Sequence, residues 1–471
     1  MKIEQIYTGC IAHAAYYIEN NGEAAIFDPL REVQPYIDRT TKDHARIKYV
    51  FETHFHADFV SGHLDLAQKT GAKIVYGPTA KPNFEAIVAA DGQVFEVGHY
   101  KVKVIHTPGH TMESTTYLLI DENNKEQAII TGDTLFIGDV GRPDLAQHVI
   151  AELTQDKLAR HLYHSLREKI MPLSDDLIVY PNHGAGSACG KMMRKETSDT
   201  LGNQKRTNYA LNPDLSEDEF VTALLTGLTN PPGYFPKNVL LNINGYESLD
   251  TVLKRAKTAL NPTEFELVAN ETRALVLDTR PSAIFAKGFI PNSINIGLDG
   301  NFAMWVGEMI SDIQQEILLV TEIGKEDEAL IRLSRVGYDR TIGYLNGSFE
   351  AWEKSGKQMD TINRISATEL EKQLAPQKTV VIDVRKQSEF DSEHLVGAIN
   401  IPMNEINNRL SEFPKDKPFV LHCASGYRSI IAASILKQRG WDNFVDVSDG
   451  FAGIKNTQLP KTNYVCPTTL L

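Results

Sequence analysis

The chain of 471 residues is too long for one compact core, and the usual size of protein domains predicts two to four of them. Its composition, 42% hydrophobic and 23% charged, is that of an ordinary folded protein and not of a disordered one. The formal net charge of -13 excludes nucleic acid and anionic membranes as general partners, since both require a basic surface.

No stretch of about 18 apolar residues is present to cross a bilayer, and the start MKIEQIYTGCIAH lacks the charged and apolar regions of a signal peptide. We therefore expect no membrane association and a cytoplasmic location. The four cysteines are widely spaced and form no CxxC pair, which argues against a disulfide framework or a zinc ribbon. Cys10 and Cys189 are expected to be packed thiols. Cys466 could relay sulfur, but chain ends are usually frayed or packed locally.

The first half of the chain is predicted to consist of strands followed by loops. Four β-rich runs each end in a loop that carries a metal-capable side chain, and these runs are KYVFETHFHAD, VKVIHTPGH, AIITGD and LIVYPNH. Their loops supply His54, His56, Asp58, His110, Asp133 and His183. A single loop histidine is more often a surface residue than a ligand, but this ordered set at strand ends favours a metal site.

Amphipathic helices complete this half, and the clearest pattern is LTQDKLARHLYHSLREKI, where Leu158, Leu162 and Leu166 recur at helical spacing. The segment NPPGYFPKN, from residue 230, is expected to interrupt regular structure because it holds three prolines and a glycine. The next stretch, ESLDTVLKRA, is a candidate linker. We place the first domain at residues 1–245.

The motifs THFHAD, TPGHT, TGDTLF and PNHG, in that order, resemble the metallo-β-lactamase superfamily over the whole first domain. The resemblance implies an αββα sandwich with metal at one edge. In the two-metal hydrolases of this superfamily, a histidine of the second site stands where this chain has Phe59, and a phenyl ring cannot bind metal. The second site, which would also need Asp58, Asp133 and His183, is therefore expected to be incomplete.

The remaining groups can hold one metal through two imidazoles and one carboxylate. Such a set on one octahedral face suits non-haem Fe(II) and leaves up to three positions for substrate and O2. The domain resembles the persulfide dioxygenases of the superfamily, also in CIAHAAYYIENNGEAAIFDP and GDVGRPD. The resemblance implies one Fe(II) per chain, held by His54, His110 and Asp133. The other three groups would orient these ligands or water, or belong to a second metal. They are His56, Asp58 and His183.

A local basic cluster follows in an otherwise acidic protein. It could hold the anionic part of a thiol such as glutathione or coenzyme A, through Lys191, Arg194, Lys205 and Arg206. The alternative is a solvated loop balanced by Glu196 and Asp199.

The second half of the chain repeats itself at a period of about 105 residues. ALVLDTR recurs as VVIDVR, IPNSINI as VGAINI, and RVGYDRTIGYLNGSFEAW as QRGWDNFVDVSDGFAGI. Each copy alternates short apolar strands with helical stretches such as EDEALIRLSRV and SIIAASILKQR, which predicts a small doubly wound parallel sheet. We place the copies at residues 258–360 and 361–471.

In the second copy the strand FVLH leads into CASGYRS and a helix expected to begin near Ile430. Cys423 thus lies on a loop that opens a helix, where backbone N–H groups and the helix dipole stabilise an anionic sulfur. The loop from Cys423 to Arg428 has the form Cys-x4-Arg, one residue shorter than the HCx5R loop that encircles phosphate. The shorter loop favours sulfur chemistry over phosphoester hydrolysis.

With IDVR, EHLVGAINIP and DGFAG, this copy resembles the rhodaneses, which are single-cysteine sulfurtransferases. The resemblance implies that Cys423 carries a persulfide and that Arg428 closes the loop and orients the anion. It also implies that Asp383 and Arg385 are structural. The first copy has no cysteine, and its corresponding position falls near Glu322. We expect an inactive copy, retained for packing or assembly.

The whole chain resembles bacterial fusions of a persulfide dioxygenase with an inactive and an active rhodanese domain. The resemblance implies an α+β and α/β multidomain protein, with an αββα sandwich followed by two doubly wound α/β domains. It implies oxidation of a low-molecular-weight thiol persulfide by O2 to sulfite and free thiol. Sulfite and a second persulfide would then give thiosulfate at Cys423, which detoxifies sulfide; the rhodanese could also run in reverse. We expect a homo-oligomer.

Two alternatives stay open. A dinuclear metal hydrolase of glyoxalase II type would cleave a glutathione thioester, although Phe59 and the fused sulfurtransferase argue against it. A sulfur-sensing or scaffold protein would have vestigial sites throughout, although the intact ligand set and the CASGYR loop argue against that.

Overall fold

A computed structural model of the chain describes residues 2–145, 153–228, 230–373 and 379–466. It divides into two compact units, the first made of Met1–Thr251 with Leu333–Gly337 and the second of Val252–Arg332 with Tyr338–Leu471. Within the described ranges, no helix combines the length and the apolar character needed to span a membrane.

The first unit contains two six-stranded sheets, each with its strands in chain order. The first sheet is formed by β1 (Ile3–Thr8), β2 (His13–Asn20), β3 (Glu23–Phe27), β4 (Arg46–Phe51), β5 (Lys73–Tyr76) and β6 (Ile87–Val88). The second sheet is formed by β7 (Val94–Val97), β8 (Tyr100–His106), β9 (Thr115–Ile120), β10 (Glu126–Gly132), β11 (Ile178–Pro181) and β12 (Asp199–Thr200). Strands β3 to β6 pair in parallel, as do β10 and β11, and the other neighbours are antiparallel.

The two sheets pack face to face and helices cover their outer faces. Phe27, Phe51 and Tyr117 lie in the core between the sheets. The helices described in this part of the chain are α1 (Gln34–Lys42), α2 (His63–Thr70), α3 (Gln155–His164), α4 (Leu201–Thr207), α5 (Glu217–Leu225), α6 (Phe235–Asn244) and α7 (Leu249–Ala256). Tyr36 of α1 packs on the first sheet and Phe220 of α5 on the second. The predicted αββα sandwich is confirmed.

The amphipathic pattern after residue 153 is also confirmed. Helix α3 continues into a π-helical segment, Ser165–Ile170, and Leu158, Leu162 and Leu166 are all fully buried. The expected linker ESLDTVLKRA contains the boundary between the two units, at Thr251 and Val252, and most of it is helical because α7 occupies it. Helix α6 likewise begins inside NPPGYFPKN, since a proline in the first helical turn lacks only an N–H that would have no partner there.

The second unit contains two five-stranded parallel sheets. The first has the order β13-β17-β16-β14-β15, with β13 (Ala259–Leu260), β14 (Leu275–Asp278), β15 (Ile294–Asn295), β16 (Ile317–Val320) and β17 (Thr341–Leu345). The second has the order β18-β22-β21-β19-β20, with β18 (Arg364–Ile365), β19 (Val380–Asp383), β20 (Ile399–Asn400), β21 (Phe419–His422) and β22 (Phe444–Val447). The identical order confirms the predicted duplication of a parallel α/β domain.

Helices alternate with these strands, as expected for parallel sheets. In the first copy they are α8 (Pro262–Thr272), α9 (Ser282–Phe285), α10 (Phe302–Met309), α11 (Glu326–Arg335) and α12 (Ser348–Lys354). In the second copy they are α13 (Ala367–Gln373), α14 (Gln387–Ser392), α15 (Arg428–Gln438) and α16 (Gly450–Ile454). Helix α15 thus begins two residues before the expected Ile430, directly at the end of the cysteine loop.

Strand pairing identifies the residue of the first copy that corresponds to Cys423. Strand β14 pairs with β16 in the same register as β19 with β21, so the first residue after β16, Thr321, takes the place of the cysteine. Thr321 is buried, and the expected Glu322 is the next residue and exposed. The sequence placed this position near Glu322, and strand pairing assigns it to the neighbouring Thr321. A threonine hydroxyl cannot carry a persulfide, and the copy remains inactive by this mechanism.

Candidate metal centre and sulfur-transfer loop

The loops after β4, β8, β10 and β11 bring the six predicted metal-capable groups together, and all six are buried. They are His54, His56, Asp58, His110, Asp133 and His183. Among them, the ligand atoms of His54, His110 and Asp133 lie within 4.8 Å of one another. The structure therefore assembles the expected set of two imidazoles and one carboxylate at one edge of the sandwich.

The environment of Asp133 is suited to a cation. Its Oδ2 is buried and has no hydrogen-bond partner among the described residues. The atom lies 3.9 Å from Nε2 of His54 and 3.4 Å from Nε2 of His110. Because buried carboxylate oxygens are almost always partnered, this arrangement fits a cation held jointly by the three side chains.

His110 is oriented by its backbone surroundings. Its Nδ1 donates to the carbonyl oxygen of Arg142 at 2.8 Å, so that Nε2 can carry the lone pair a metal needs. Gly141 permits this contact, because a Cβ there would lie 2.1 Å from the carbonyl oxygen of Asp133 and 2.8 Å from Nδ1 of His110. Gly141 and Arg142 belong to the motif GDVGRPD, whose role in orienting His110 was not apparent from sequence.

His54 is oriented by Thr53, a residue that the sequence analysis missed. The Thr53 hydroxyl lies 3.1 Å from the Asp28 carboxylate, which only accepts, so the hydroxyl donates to it. The Thr53 oxygen then accepts from Asn182 at 3.1 Å and from Nδ1 of His54 at 3.0 Å. Nε2 of His54 is left to face Asp133. Burial, reinforced by the nearby His56, lowers the pKa of His54 well below its ordinary value, and a metal requires this neutral form.

His183 binds two carboxylates. It lies 2.8 Å from Oδ1 of Asp133 through Nδ1 and 2.9 Å from Oδ2 of Asp58 through Nε2. Since carboxylates accept, both ring nitrogens donate. Burial opposes the charged form, but Asp133 and Asp58 together raise the pKa of His183 well above its ordinary value. His183 thus positions Asp133 and leaves Oδ2 directed at the two ligand histidines.

Phe59 occupies the position at which a second-site histidine was expected in a two-metal hydrolase, and its ring is packed against neighbouring side chains. Phe59 is fully buried, and its ring centroid lies 4.3 Å from that of His13 and 4.4 Å from that of His56. Cys189 is buried beside Asp58 and His183, within 4.8 Å of their ligand atoms. Its buried position agrees with the expected packed thiol.

His56 belongs to a separate group, with Asp28 and Glu52. Its Nε2 lies 2.9 Å from Oδ1 of Asp28 and 3.4 Å from Oε2 of Glu52, both fully buried. Burial opposes the charged imidazolium, but these two carboxylates raise the pKa of His56 to about 10. Because Asp28 also binds Thr53, the cluster holds the loop that carries His54. Asp28 and Glu52 were missed from sequence, although each directly follows an apolar strand.

A cavity of about 400 Å³ reaches His110 from outside. Most of its walls are apolar and are formed by Phe55, Ala57, Met112, Leu145, Val239 and Ile243. Polar groups in the lining include Thr79, Lys81 and Glu113. Its size and character suit a small organic substrate.

The predicted basic cluster does not line this cavity. Lys191 donates to the carbonyl oxygens of Ala223 and Thr226, at 2.7 and 2.8 Å. Three other members were Arg194, Lys205 and Arg206. Lys205 pairs with Asp175 at 2.6 Å, Arg194 donates to the backbone of Thr207, and Arg206 is exposed. These contacts favour a locally balanced surface over a thiol-binding cluster.

The loop around Cys423 closes on its sulfur. Cys423 is 1% exposed, and its Sγ accepts a hydrogen bond from the backbone N–H of Gly426 at 3.2 Å. Gly426 has a φ of +88°, and a Cβ there would lie 2.4 Å from the carbonyl oxygen of Ser448. Only glycine fits this position, so the turn that aims the N–H at sulfur depends on it.

Comparison with known proteins follows the same division of the chain. The model of the metallo-beta-lactamase superfamily matches residues 8–183, and the model of the rhodanese-like domain matches residues 261–355 and 366–457. A crystal structure of a metallo-beta-lactamase from Staphylococcus aureus is 30% identical, covers 73% of this chain and 98% of that chain, and superposes with a TM-score of 0.64. The chain belongs to the metallo-beta-lactamase superfamily and carries two rhodanese-like domains.

Two curated relatives of the metallo-beta-lactamase domain have different activities. Human mitochondrial persulfide dioxygenase ETHE1 is 31% identical over 163 residues, which are 34% of this chain and 59% of that protein. Hydroxyacylglutathione hydrolase GloC from Haemophilus influenzae is 27% identical over 216 residues, which are 41% of this chain and 90% of that protein. The superfamily fold and the buried ligand groups together imply a bound metal.

Each of the two rhodanese-like domains contains an equivalent Arg–Asp ion pair. Arg385 lies 2.6 Å from Asp383 and over the ring of Phe451, and the first copy repeats this pair with Arg280 and Asp278, also at 2.6 Å. A pair present in both copies supports the structural role inferred from sequence.

Arg428 of the second rhodanese-like domain binds Glu389 of α14. Its Nη1 and Nη2 lie 2.6 and 2.9 Å from the two carboxylate oxygens. Its expected role, orienting an anion at the sulfur, stays a prediction.

Proposed function

We propose that the chain is a persulfide dioxygenase coupled to a sulfurtransferase. The metallo-beta-lactamase domain would oxidise a low-molecular-weight thiol persulfide with O2, and water would then release sulfite and free thiol. The second rhodanese-like domain would convert the sulfite to thiosulfate. The proposal depends most on Oδ2 of Asp133, which is buried, has no hydrogen-bond partner within the described part of the chain and faces two imidazole Nε2 atoms. In addition, Phe59 fills the position of a second-site ligand.

The donor set fits one Fe(II), which His54, His110 and Asp133 would hold on one face. Bound Fe(II) supplies the redox chemistry by which O2 reacts with the terminal sulfur of the persulfide. The protein's own contribution is orientation, through the hydrogen bonds of Thr53 and of the Arg142 carbonyl to the ligand histidines. The cavity beside His110 admits the thiol, and its apolar walls limit the access of water.

Sulfur transfer follows from the geometry of the Cys423 loop. The Cys423 thiolate attacks the outer sulfur of a persulfide RSSH, the S–S bond breaks, and RS⁻ leaves and takes up a proton. Sulfite then attacks the outer sulfur of the Cys423 persulfide, so that thiosulfate leaves, a proton is released and the thiolate returns. The N–H of Gly426 stabilises the negative sulfur. Arg428 has five N–H donors and can hold sulfite while it keeps Glu389.

Metal analysis and oxygen uptake on the full chain, purified without chelators, test the dioxygenase assignment. We expect about one iron per chain on the ligand count, and O2 consumption with glutathione persulfide or coenzyme A persulfide. His110→Ala should lose both the iron and the O2 uptake, whereas the matched variant of an exposed histidine, His161→Ala, should keep them. Two zinc ions and no O2 uptake would overturn the assignment.

A two-metal thioester hydrolase is the second candidate. The group of Asp58, His183 and Cys189, whose ligand atoms lie within 4.8 Å of one another, could hold a second ion beside the first. The similarity to a hydroxyacylglutathione hydrolase points the same way. Hydrolysis of S-lactoylglutathione by the zinc-loaded protein, with no persulfide-dependent O2 uptake, would favour this candidate.

A further inference from the structure

Tyr427 of the sulfur-transfer loop is bound to the inactive rhodanese-like domain. Its hydroxyl donates to the carbonyl oxygen of Gly297 at 2.7 Å. Tyr427 stands between Gly426, whose N–H contacts the sulfur of Cys423, and Arg428, where α15 begins. A contact made by Tyr427 therefore acts on the part of the loop that surrounds the sulfur.

Gly300 of the inactive domain has no side chain where the Tyr427 ring lies. A Cβ at Gly300 would stand 2.3, 2.5 and 2.7 Å from three ring carbons of Tyr427, closer than any real contact. The backbone of Gly300 is not in the left-handed region, so the turn itself does not require glycine here. The missing side chain is needed for the ring of Tyr427.

The segment that receives Tyr427 is fixed by the inactive domain itself. The N–H of Leu298 donates to the carbonyl oxygen of Thr279 at 3.0 Å, directly after the inner strand β14. Arg332 of α11 donates to the carbonyl oxygen of Leu298 at 2.6 Å. Two hydrogen bonds within the inactive domain thus hold the segment that contacts Tyr427.

Helix α15 is anchored on the same domain. The N–H of Asn295, in the edge strand β15, donates to the hydroxyl of Ser434 at 3.0 Å, and Gln438 donates to the carbonyl oxygen of Asn292 at 3.0 Å. Because Ser434 is fully buried, this edge strand is covered by the helix that follows the cysteine loop. Loop and helix are both held from outside their own domain.

We propose that the inactive rhodanese-like domain positions the sulfur-transfer loop, with Tyr427, Gly297 and Gly300 as positioning residues for sulfur transfer at Cys423. The inference rests on the proposed sulfurtransferase activity. It explains why a copy without a nucleophile is kept, since the active copy uses it as a template for the loop. A shift of the Tyr427 ring would move the N–H of Gly426 away from the sulfur.

A double-mutant cycle on the full chain tests the inference, with thiosulfate formation from glutathione persulfide and sulfite as the measurement. Gly300→Ala should lower kcat by on the order of 10- to 100-fold, because small displacements of reacting groups are costly, and leave KM for the persulfide nearly unchanged. In a Tyr427→Ala background the same Gly300→Ala change should have almost no further effect. An equal loss in both backgrounds would overturn the inference.

A more conservative pair of variants distinguishes a loss of positioning from a loss of folding. Tyr427→Phe removes only the hydroxyl that binds Gly297, and Tyr344→Phe removes a hydroxyl elsewhere in the inactive domain. We expect a lower kcat for the first and wild-type kcat for the second, with persulfide-dependent O2 uptake unchanged in both. Equal kcat in the two variants would contradict the positioning role. If the wild-type chain forms no thiosulfate at all, the proposed sulfurtransferase itself fails.

Discussion

Asp133 accepts a hydrogen bond from His183 through one carboxylate oxygen, at 2.8 Å, and leaves the other oxygen without a partner among the described residues. Burial alone would raise the pKa of the Asp133 carboxyl, but the positive charge of His183, with the nearby His54 and His110, lowers it below its ordinary value. The carboxylate is thus kept ionised and turned toward two imidazoles. Asp133 is therefore the group that would bind the metal, and His183 is the group that positions Asp133.

The first prediction compares these two residues by metal titration of the purified chain. Asp133→Ala should abolish stoichiometric iron binding, because it removes the charged ligand. His183→Gln should retain the site and weaken it by about 10- to 100-fold, the usual effect of losing a group that orients a ligand. Complete loss of metal in the His183 variant together with retention in the Asp133 variant would contradict these roles.

The second prediction concerns the division of labour between the domains. Cys423→Ser should leave persulfide-dependent O2 uptake largely intact and abolish thiosulfate formation, so that sulfite accumulates. Ion chromatography of sulfite and thiosulfate alongside an oxygen electrode measures both products. Cys466→Ser, at an exposed cysteine, is the matched control and should behave as wild type. A loss of both activities in Cys423→Ser would mean that the two reactions are not separable.

The third prediction places a ligand where the chain has none. Phe59→His should complete a second metal set with Asp58, Asp133 and His183, and raise zinc binding from about one to about two ions per chain. Without metal the imidazole should lower the unfolding free energy by about 1–3 kcal/mol, because a polar ring replaces a fully buried phenyl ring. Phe59→Leu controls for the lost ring. The same zinc content in both variants would show that position 59 does not decide metal number.

Much of this architecture could be predicted, because sequence repeats and local residue patterns indicate it. Repeated strand segments fixed the duplicated parallel sheet, and metal-capable residues at successive strand ends indicated one edge of a sandwich. The segment ESLDTVLKRA contains the boundary between the two compact units, as expected, but its helical form was missed. Helix α7 has its apolar residues at helical spacing, whereas its position after a proline-rich segment suggested an irregular connection. Packing decided the outcome, since Leu249 and Val252 are buried.

The roles within the site could not be read from sequence. Six candidate groups were identified, but which of them bind each other depends on distances set by the whole sandwich. His56 proved to be paired with Asp28 and Glu52, and His183 with two carboxylates. The basic residues after Cys189 form contacts within their own domain, while Lys81, which no pattern singled out, lines the cavity at His110.

The last prediction concerns pH and the stability of the second unit. Burial raises the pKa of Glu308, in α10, to about 7 from an ordinary value of 4.5, and Lys386 only partly opposes this. Between these values the unfolded chain has released the proton and the folded chain retains it, so the folded state binds more protons. The free energy of unfolding should therefore fall as pH rises from about 4.5 to about 7, and level off above.

Glu308→Gln should remove this pH dependence and stabilise the second unit by about 1–2 kcal/mol at pH 7.5, a value reduced for the partial exposure of the side chain. Urea unfolding followed by tryptophan fluorescence measures it selectively, because all three tryptophans of the chain, Trp305, Trp352 and Trp441, lie in the second unit. Glu322→Gln, at an exposed glutamate, is the matched control and should keep the wild-type slope. If Glu308→Gln is no more stable than wild type at pH 7.5, burial does not raise the pKa of Glu308 in the folded state.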